Sequence, residues 1–231
     1  MSSDAKEETT VLGLSVGDKA ILFAGIPALG ALFGLCLPWV AERVSEVRWL
    51  PGGGPLRLIA AHQGFWTTAG LCALGLLLGL CFGAYAVHVS LRVVLTDSSL
   101  RAVRAGRERC IARSQVETVF LDDKQLVVLD RESRQLLREP TETRRADMAR
   151  AFSAHGYPWV KGDPYAGLYH RWVPDSPDLP PAVNALLKAR QIALEKKAEQ
   201  ETAELRDEVE RLGYVVRDRS KRQYWRPLVR S

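Results

Sequence analysis

Apolar residues run unbroken through Ala20–Ala41 and again through Gly64–Val87, with no Lys, Arg, Asp or Glu in either stretch. Each run exceeds the roughly 20 residues that an α-helix needs to cross about 30 Å of hydrocarbon. The pattern predicts a membrane α-hairpin followed by an α+β portion. A polar tail, 1–18, leads into a first span, 19–41, and a short helix near Ser15–Lys19 starts it. A loop, 42–63, expected outside the cytoplasm, joins it to a second span, 64–90. The first run reads as a retained span and not as a signal peptide. Its core is longer than the about 7–15 residues of such a leader, and Leu37-Pro38-Trp39 is too bulky for cleavage.

After the second span the apolar period shortens to two. His88–Thr96 alternates and is β-branched, which predicts a strand. Leu100–Val103, Arg109–Ile111, Val116–Leu121, Gln125–Asp130 and Gln135–Arg138 continue the series, separated by polar turns. Short strands at such close spacing suggest a meander or small barrel. Thr141–Ala154 then turns helical, with Thr141 or Thr143 as cap and Ala146, Met148, Ala149 and Phe152 as its apolar face. Residues 156–181 are rich in Pro, Tyr and Trp and predict a semi-extended linker. The last portion, 182–231, carries apolar residues at helical spacing from Val183 to Leu212. Gly213 is the stop, and Tyr214–Val216 and Gln223–Arg226 follow as two strands.

Small residues mark both spans. Gly30 and Gly34 lie four apart in the first; Gly75, Gly79 and Gly83 repeat that spacing in the second. Such a stripe lets two backbones approach closely. Either the two spans pack on each other, or the second stripe forms a homodimer. Arginine and lysine set the orientation: Lys6, Lys19, Arg92, Arg101, Arg104, Arg107 and Arg109 flank the outer span ends, against Arg43, Arg48 and Arg57 in the loop. This bias places both termini in the cytoplasm of a two-span protein of the cell membrane. Trp39, Trp49 and Trp66 fall near one interface, where indoles prefer to sit.

Charge and chemistry narrow the function classes. The chain carries a net charge of +5, with most of the excess late in the sequence. Four cysteines lack CxxC spacing, His62, His88, His155 and His170 are scattered, and no Walker, GxSxG or HExxH sequence occurs. The run Pro51-Gly-Gly-Gly-Pro55 is a turn and not a phosphate loop, because no Lys-Ser/Thr follows. The sequence therefore predicts no enzyme, no cofactor and no metal. Its candidate chemistry is the terminal cluster Arg217, Arg219, Lys221, Arg222 and Arg226, interleaved with Tyr224 and Trp225. Cations for phosphates beside aromatic faces for bases suit single-stranded RNA, and the same charges suit anionic lipid.

Two resemblances add to this reading. The phrase VVLTDSSLRAVRAG is similar to the opening hairpin of bacterial pleckstrin-homology-like (PH-like) domains, and the resemblance covers 91–155. It implies a small PH-like β-roll closed by one helix. The tail resembles the anticodon-binding domain of bacterial cysteinyl-tRNA synthetases, on Arg190, Ala193, Leu205-Arg206-Asp207, Gly213, Asp218 and Trp225-Arg226. That likeness implies RNA contact by Arg206, Arg217, Asp218, Arg219, Lys221, Arg222, Trp225 and Arg226, with Trp225 stacking on a base. Two departures stand out. Lys197-Ala198-Glu199-Gln200 replaces a turn of that family with good helix formers, which predicts one long helix. Arg222 stands where that family has a hairpin glycine. The combination resembles the YqeB-like membrane proteins of bacteria. The expectation is a non-catalytic membrane protein that holds a PH-like domain and a tRNA- or RNA-binding tail at the bilayer. The alternative is a scaffold acting through protein partners, a homo-oligomer or anionic lipid.

Overall fold

The computed structural model describes residues 8–45, 64–219 and 222–229. Arg48, Arg57, Trp49, the Pro51–Pro55 turn and Lys221 lie outside the described residues. The chain divides into two compact units, and each is taken by itself.

The first unit is a helical hairpin. Ser15 caps helix α1 (Val16–Ala20): its Oγ accepts from the Asp18 N–H at 3.1 Å, and Asp18 Oδ2 accepts from the Ser15 N–H at 3.0 Å. This reciprocal box satisfies donors that a helix start leaves unpaired. A π turn, Ile21–Gly25, follows and leads into α2 (Ile26–Ser45). Pro27 sits two residues beyond that turn. A proline clashes with the carbonyl four residues back, and a widened turn relieves the clash. Helix α3 (Phe65–Val89) is the second apolar helix. It runs through His88 and Val89, where the sequence predicts strand. Ser90 then breaks it, and its Oγ donates to the Ala86 carbonyl at 2.8 Å. Val16–Val40 and Phe65–Val89 are long and apolar enough to cross a membrane.

The glycine stripes face each other in an antiparallel register. A Cβ on Gly30 would lie inside van der Waals contact of the Gly75 carbonyl, and one on Gly75 would meet that of Gly30. Gly34 abuts the Leu71 carbonyl in the same way. A Cβ on Gly79 would fall 2.6 Å from Pro27 Cα, and one on Gly83 would fall 2.6 Å from the Leu22 oxygen. Outward-facing Leu29, Phe33, Leu77 and Phe82 are more than half exposed.

The second unit begins with a strand in the segment expected to be loose tail. β1 (Thr10–Leu12) joins β2 (Arg92–Leu95), β3 (Ser99–Arg104) and β4 (Arg107–Ala112) in a four-stranded sheet of that order. Both apolar helices are thus inserted in sequence between β1 and β2. A three-residue run, Thr10-Val11-Leu12, is too short to show a period. β5 (Thr118–Asp122), β6 (Gln125–Leu129) and β7 (Gln135–Pro140) form a second, antiparallel sheet with a bulge at Val128/Leu129. Leu95, Leu100, Phe120, Leu126, Val127, Met148 and Phe152 are wholly buried. The closing helix α4 (Arg145–Ala154) starts later than predicted, with no side-chain cap. The Thr141 N–H instead bonds the Lys124 carbonyl at 2.8 Å, extending the strand pairing. Gly156, at φ +66, ends the turn after α4.

The expected linker is divided between two cores. Tyr157 and a parallel bridge from Trp159 to Val119 complete the PH-like part. Trp172 and Leu179 instead pack with Val183, Leu187, Val209, Val216 and Trp225. Asn184 locks that arrangement: its amide donates to the Ser176 and Leu179 carbonyls, and its oxygen accepts from the Trp172 indole at 3.1 Å. The predicted single helix is broken into α5 (Pro181–Glu195) and α6 (Glu199–Arg211), with Lys197 at φ 56. Folding back lets Leu187 and Val209 share one core, and that burial outweighs the local preference for continuing.

Candidate nucleic-acid interface

The terminal residues lie on a three-stranded sheet in the order β8 (His170–Arg171), β10 (Arg222–Pro227), β9 (Tyr214–Arg219). The register pairs Arg222 with Arg219, Gln223 with Asp218, Tyr224 with Arg217 and Trp225 with Val216; Tyr224 also faces Arg171. Successive strand residues point to opposite faces, so this pairing sorts the candidate site into two surfaces.

One surface lies against α5 and α6 and holds Tyr214, Val216, Asp218, Gln223 and Trp225. Trp225 is 7% exposed, its ring 5.4 Å from His170 and 5.7 Å from Tyr214. It is a core residue, so its ring is not offered to a base. Asp218 is also committed. Its two oxygens accept from Arg190 Nη1 and Nη2 at 2.6 and 2.7 Å, and Arg190 Nη1 also reaches Gln223 Oε1 at 2.8 Å. Arg190 matches the synthetase pattern in the sequence, but its part as the anchor of Asp218 is visible only in the fold.

The other surface carries the cations. Arg226 is fully buried and donates from Nη1 to Ser133 Oγ and from Nη2 to the Ser133 carbonyl, both at 2.8 Å. Arg217 is buried with its guanidinium 3.8 Å over the Tyr169 ring and 3.8 Å from the Asp163 carboxylate. Burial raises the Tyr169 hydroxyl above its ordinary pKa, and the Arg226 charge opposes the rise. Arg219 and Arg222, further out along the same face, are exposed, as is Arg171; Tyr224 is half-buried among them. The structure therefore brings Arg171, Arg219, Arg222 and Tyr224 together on an open surface. Arg171 escapes a sequence reading, because only sheet pairing across about 50 residues places it beside Tyr224.

Arg206 belongs to neither surface. It lies on α6, mostly buried, with Nη1 3.4 Å from the Arg138 carbonyl, and that burial lowers its pKa. One turn on, Glu210 accepts from the Gln135 N–H, and burial raises its carboxyl pKa. A folded state that holds this proton more tightly than the unfolded chain gains stability as pH falls. The contribution is full below the ordinary value of about 4.5 and is lost as pH rises through the raised one. Chemical unfolding of wild type and Glu210→Gln at stepped pH checks this. The wild-type midpoint should gain on the variant as pH falls from about 7 to about 5, and a constant gap would refute it.

A β-rolled PH-like domain with an insertion of two apolar helices, followed by an anticodon-binding-like module, defines the class. The chain belongs to the YqeB-like bacterial PH domain family, which matches residues 10–160. Residues 176–226 match the cysteinyl-tRNA ligase anticodon binding domain. The chain is also 34% identical over 218 residues to the Bacillus subtilis (strain 168) protein named "Uncharacterized protein YqeB", covering 94% of this chain and 91% of that one. No solved structure matches.

Proposed function

We propose that the protein is a non-catalytic membrane tether whose C-terminal module contacts single-stranded segments of tRNA or another RNA. The two apolar helices support residence in the bilayer, and the excess of Lys and Arg at the outer span ends supports cytoplasmic termini. The observation that carries the RNA reading is the outer sheet face. Arg219 and Arg222 sit directly opposite each other, next to a half-buried Tyr224 with Arg171 at its other side. Guanidiniums around an aromatic face are the composition that tracks a phosphate backbone and stacks a base. The RNA contacts in this reading are this outer set, in place of the inward-facing Trp225 and Asp218 and the buried Arg226. The likeness to the cysteinyl-tRNA ligase domain points to the same class of partner.

Binding of labelled tRNA and unstructured RNA to the full chain in neutral-lipid nanodiscs tests the reading. Arg219→Glu with Arg222→Glu should weaken binding and flatten the salt dependence by about 0.7 log units per lost phosphate contact. Tyr224→Ala should cost about 1–3 kcal/mol if a base stacks there. Binding that ignores all three substitutions overturns the reading. Capture of anionic vesicles without RNA would assign the same charges to lipid.

A further inference from the structure

The cationic face of the terminal sheet is used twice over its length. Arg219 and Arg222 are open, whereas Arg217 and Arg226 are buried against Asp163, Tyr165, Tyr169 and Ser133. Arg217 is covered by Asp163 and by Tyr169, which directly precedes β8, whereas Arg226 reaches Ser133 in the turn before β7, where the C-terminal module docks on the PH-like part. The observed bonds of that docking are polar. Glu210 takes the Gln135 N–H, Arg206 Nη1 reaches the Arg138 carbonyl at 3.4 Å, and Asp207 pairs with Arg109 at 3.2 Å. The Val229 N–H donates to Ser133 Oγ at 2.9 Å. The apolar clusters on the two sides remain separate.

This contact is also poorly satisfied. Among the described residues, Gln135 Oε1, Arg138 Nη1, Arg217 Nε and Arg226 Nε are buried without a partner, and all four lie at or beside the docking surface. Only Arg113 Nε, of the same kind, lies elsewhere. Buried donors left unpaired oppose the state that buries them. Phosphate oxygens are strong acceptors for guanidinium N–H groups.

We infer that docking of the C-terminal module is a releasable, self-inhibiting contact, in which RNA and the Ser133 turn before β7 compete for Arg226. This rests on the RNA reading above. In the docked state RNA meets only the outer half of the face. In the released state Arg226 joins Arg219 and Arg222 as a cationic strip with Tyr224 inside it, and the β7 edge loses its side-chain cover. A ligand that binds only the released state shifts the population toward it, and a substitution that weakens docking must raise RNA affinity by the same coupling.

The test uses the full chain in neutral-lipid nanodiscs with a single-stranded RNA. Asp207→Arg places like charges against Arg109, at a pair about two-fifths exposed on both sides, and against Arg206, 3.6 Å from Asp207 in the same contact. Arg109→Glu breaks the same pair from the other side, should either variant fail to fold. Amide exchange at Gln135 reads docking, and RNA titration reads affinity. Saturating RNA should speed Gln135 exchange in wild type, with β6 unchanged. Each variant should bind RNA at least about fivefold more tightly than wild type. RNA binding with Gln135 exchange and variant affinity both unchanged overturns the competition and leaves the RNA reading standing. An absence of RNA binding in wild type and in both variants overturns the two together.

Discussion

Gly75→Leu should disrupt the helical hairpin, while Gly70→Leu on the same helix should leave it intact. A side chain at Gly75 meets the Gly30 backbone within van der Waals contact, whereas nothing lies within 4 Å of a Cβ at Gly70. Backbone cannot rotate out of the way, so the helices must separate. Lipid tails are as apolar as leucine, so close packing is what holds two such helices together, and separation is not offset by a hydrophobic gain. Overpacking costs about 1–3 kcal/mol in soluble cores, and the stiffness of the contact here puts Gly75 at the upper end. Thermal unfolding of the full chain in detergent reads the difference. Equal transitions for the two variants would show that α2 and α3 do not depend on this contact.

Arg190→Ala should be the most damaging single change in the C-terminal module. The guanidinium is 2% exposed and holds Asp218 in a two-pronged pair, Gln223 Oε1 at 2.8 Å and the Thr202 carbonyl at 3.2 Å. It therefore ties α5 to α6 and to both strands of the hairpin. Removal strands Gln223, itself 2% exposed, and leaves the Asp218 carboxylate without its cation. Breaking a fully buried pair costs about 3–5 kcal/mol; the Asp218 side chain keeps 36% of its surface in water, which brings the expectation down to about 2–4 kcal/mol. Arg190→Lys should recover little, since an ammonium cannot span both oxygens and Gln223 together. Denaturant unfolding measures both variants. A lysine variant as stable as wild type would mean that charge alone, and not the planar fork, secures the module.

Much of the fold was legible before any coordinates. The two apolar runs stand out because a helix in lipid requires an uninterrupted stretch. The glycine spacing shows because it is a property of one helix surface. The strands from β3 to β7 follow from polar turns such as Asp122-Asp123-Lys124, whose central residue takes φ 53. The family pattern in the tail also located the module, since Arg190, Asp218 and Trp225 carry its packing. That they serve packing, and that the exposed cations are their neighbours on the other face, depends on the pleat. A cluster that looks like one site along a chain becomes two faces in a sheet.

The sequence by itself determined which segments are apolar, where the chain turns, and that its end is basic and aromatic. Those are local properties, set by side-chain chemistry and the helix and strand periods. The tertiary structure decided the rest. It paired β1, which precedes the helical hairpin in sequence, with β2, which follows it. It broke the predicted long helix at Lys197 so that Leu187 and Val209 share a core. It joined Arg226 to Ser133 across 93 residues of sequence. Each of these gains burial or a hydrogen bond only when distant segments meet. No local preference encodes it, and the cations left in solvent are those the docking did not take.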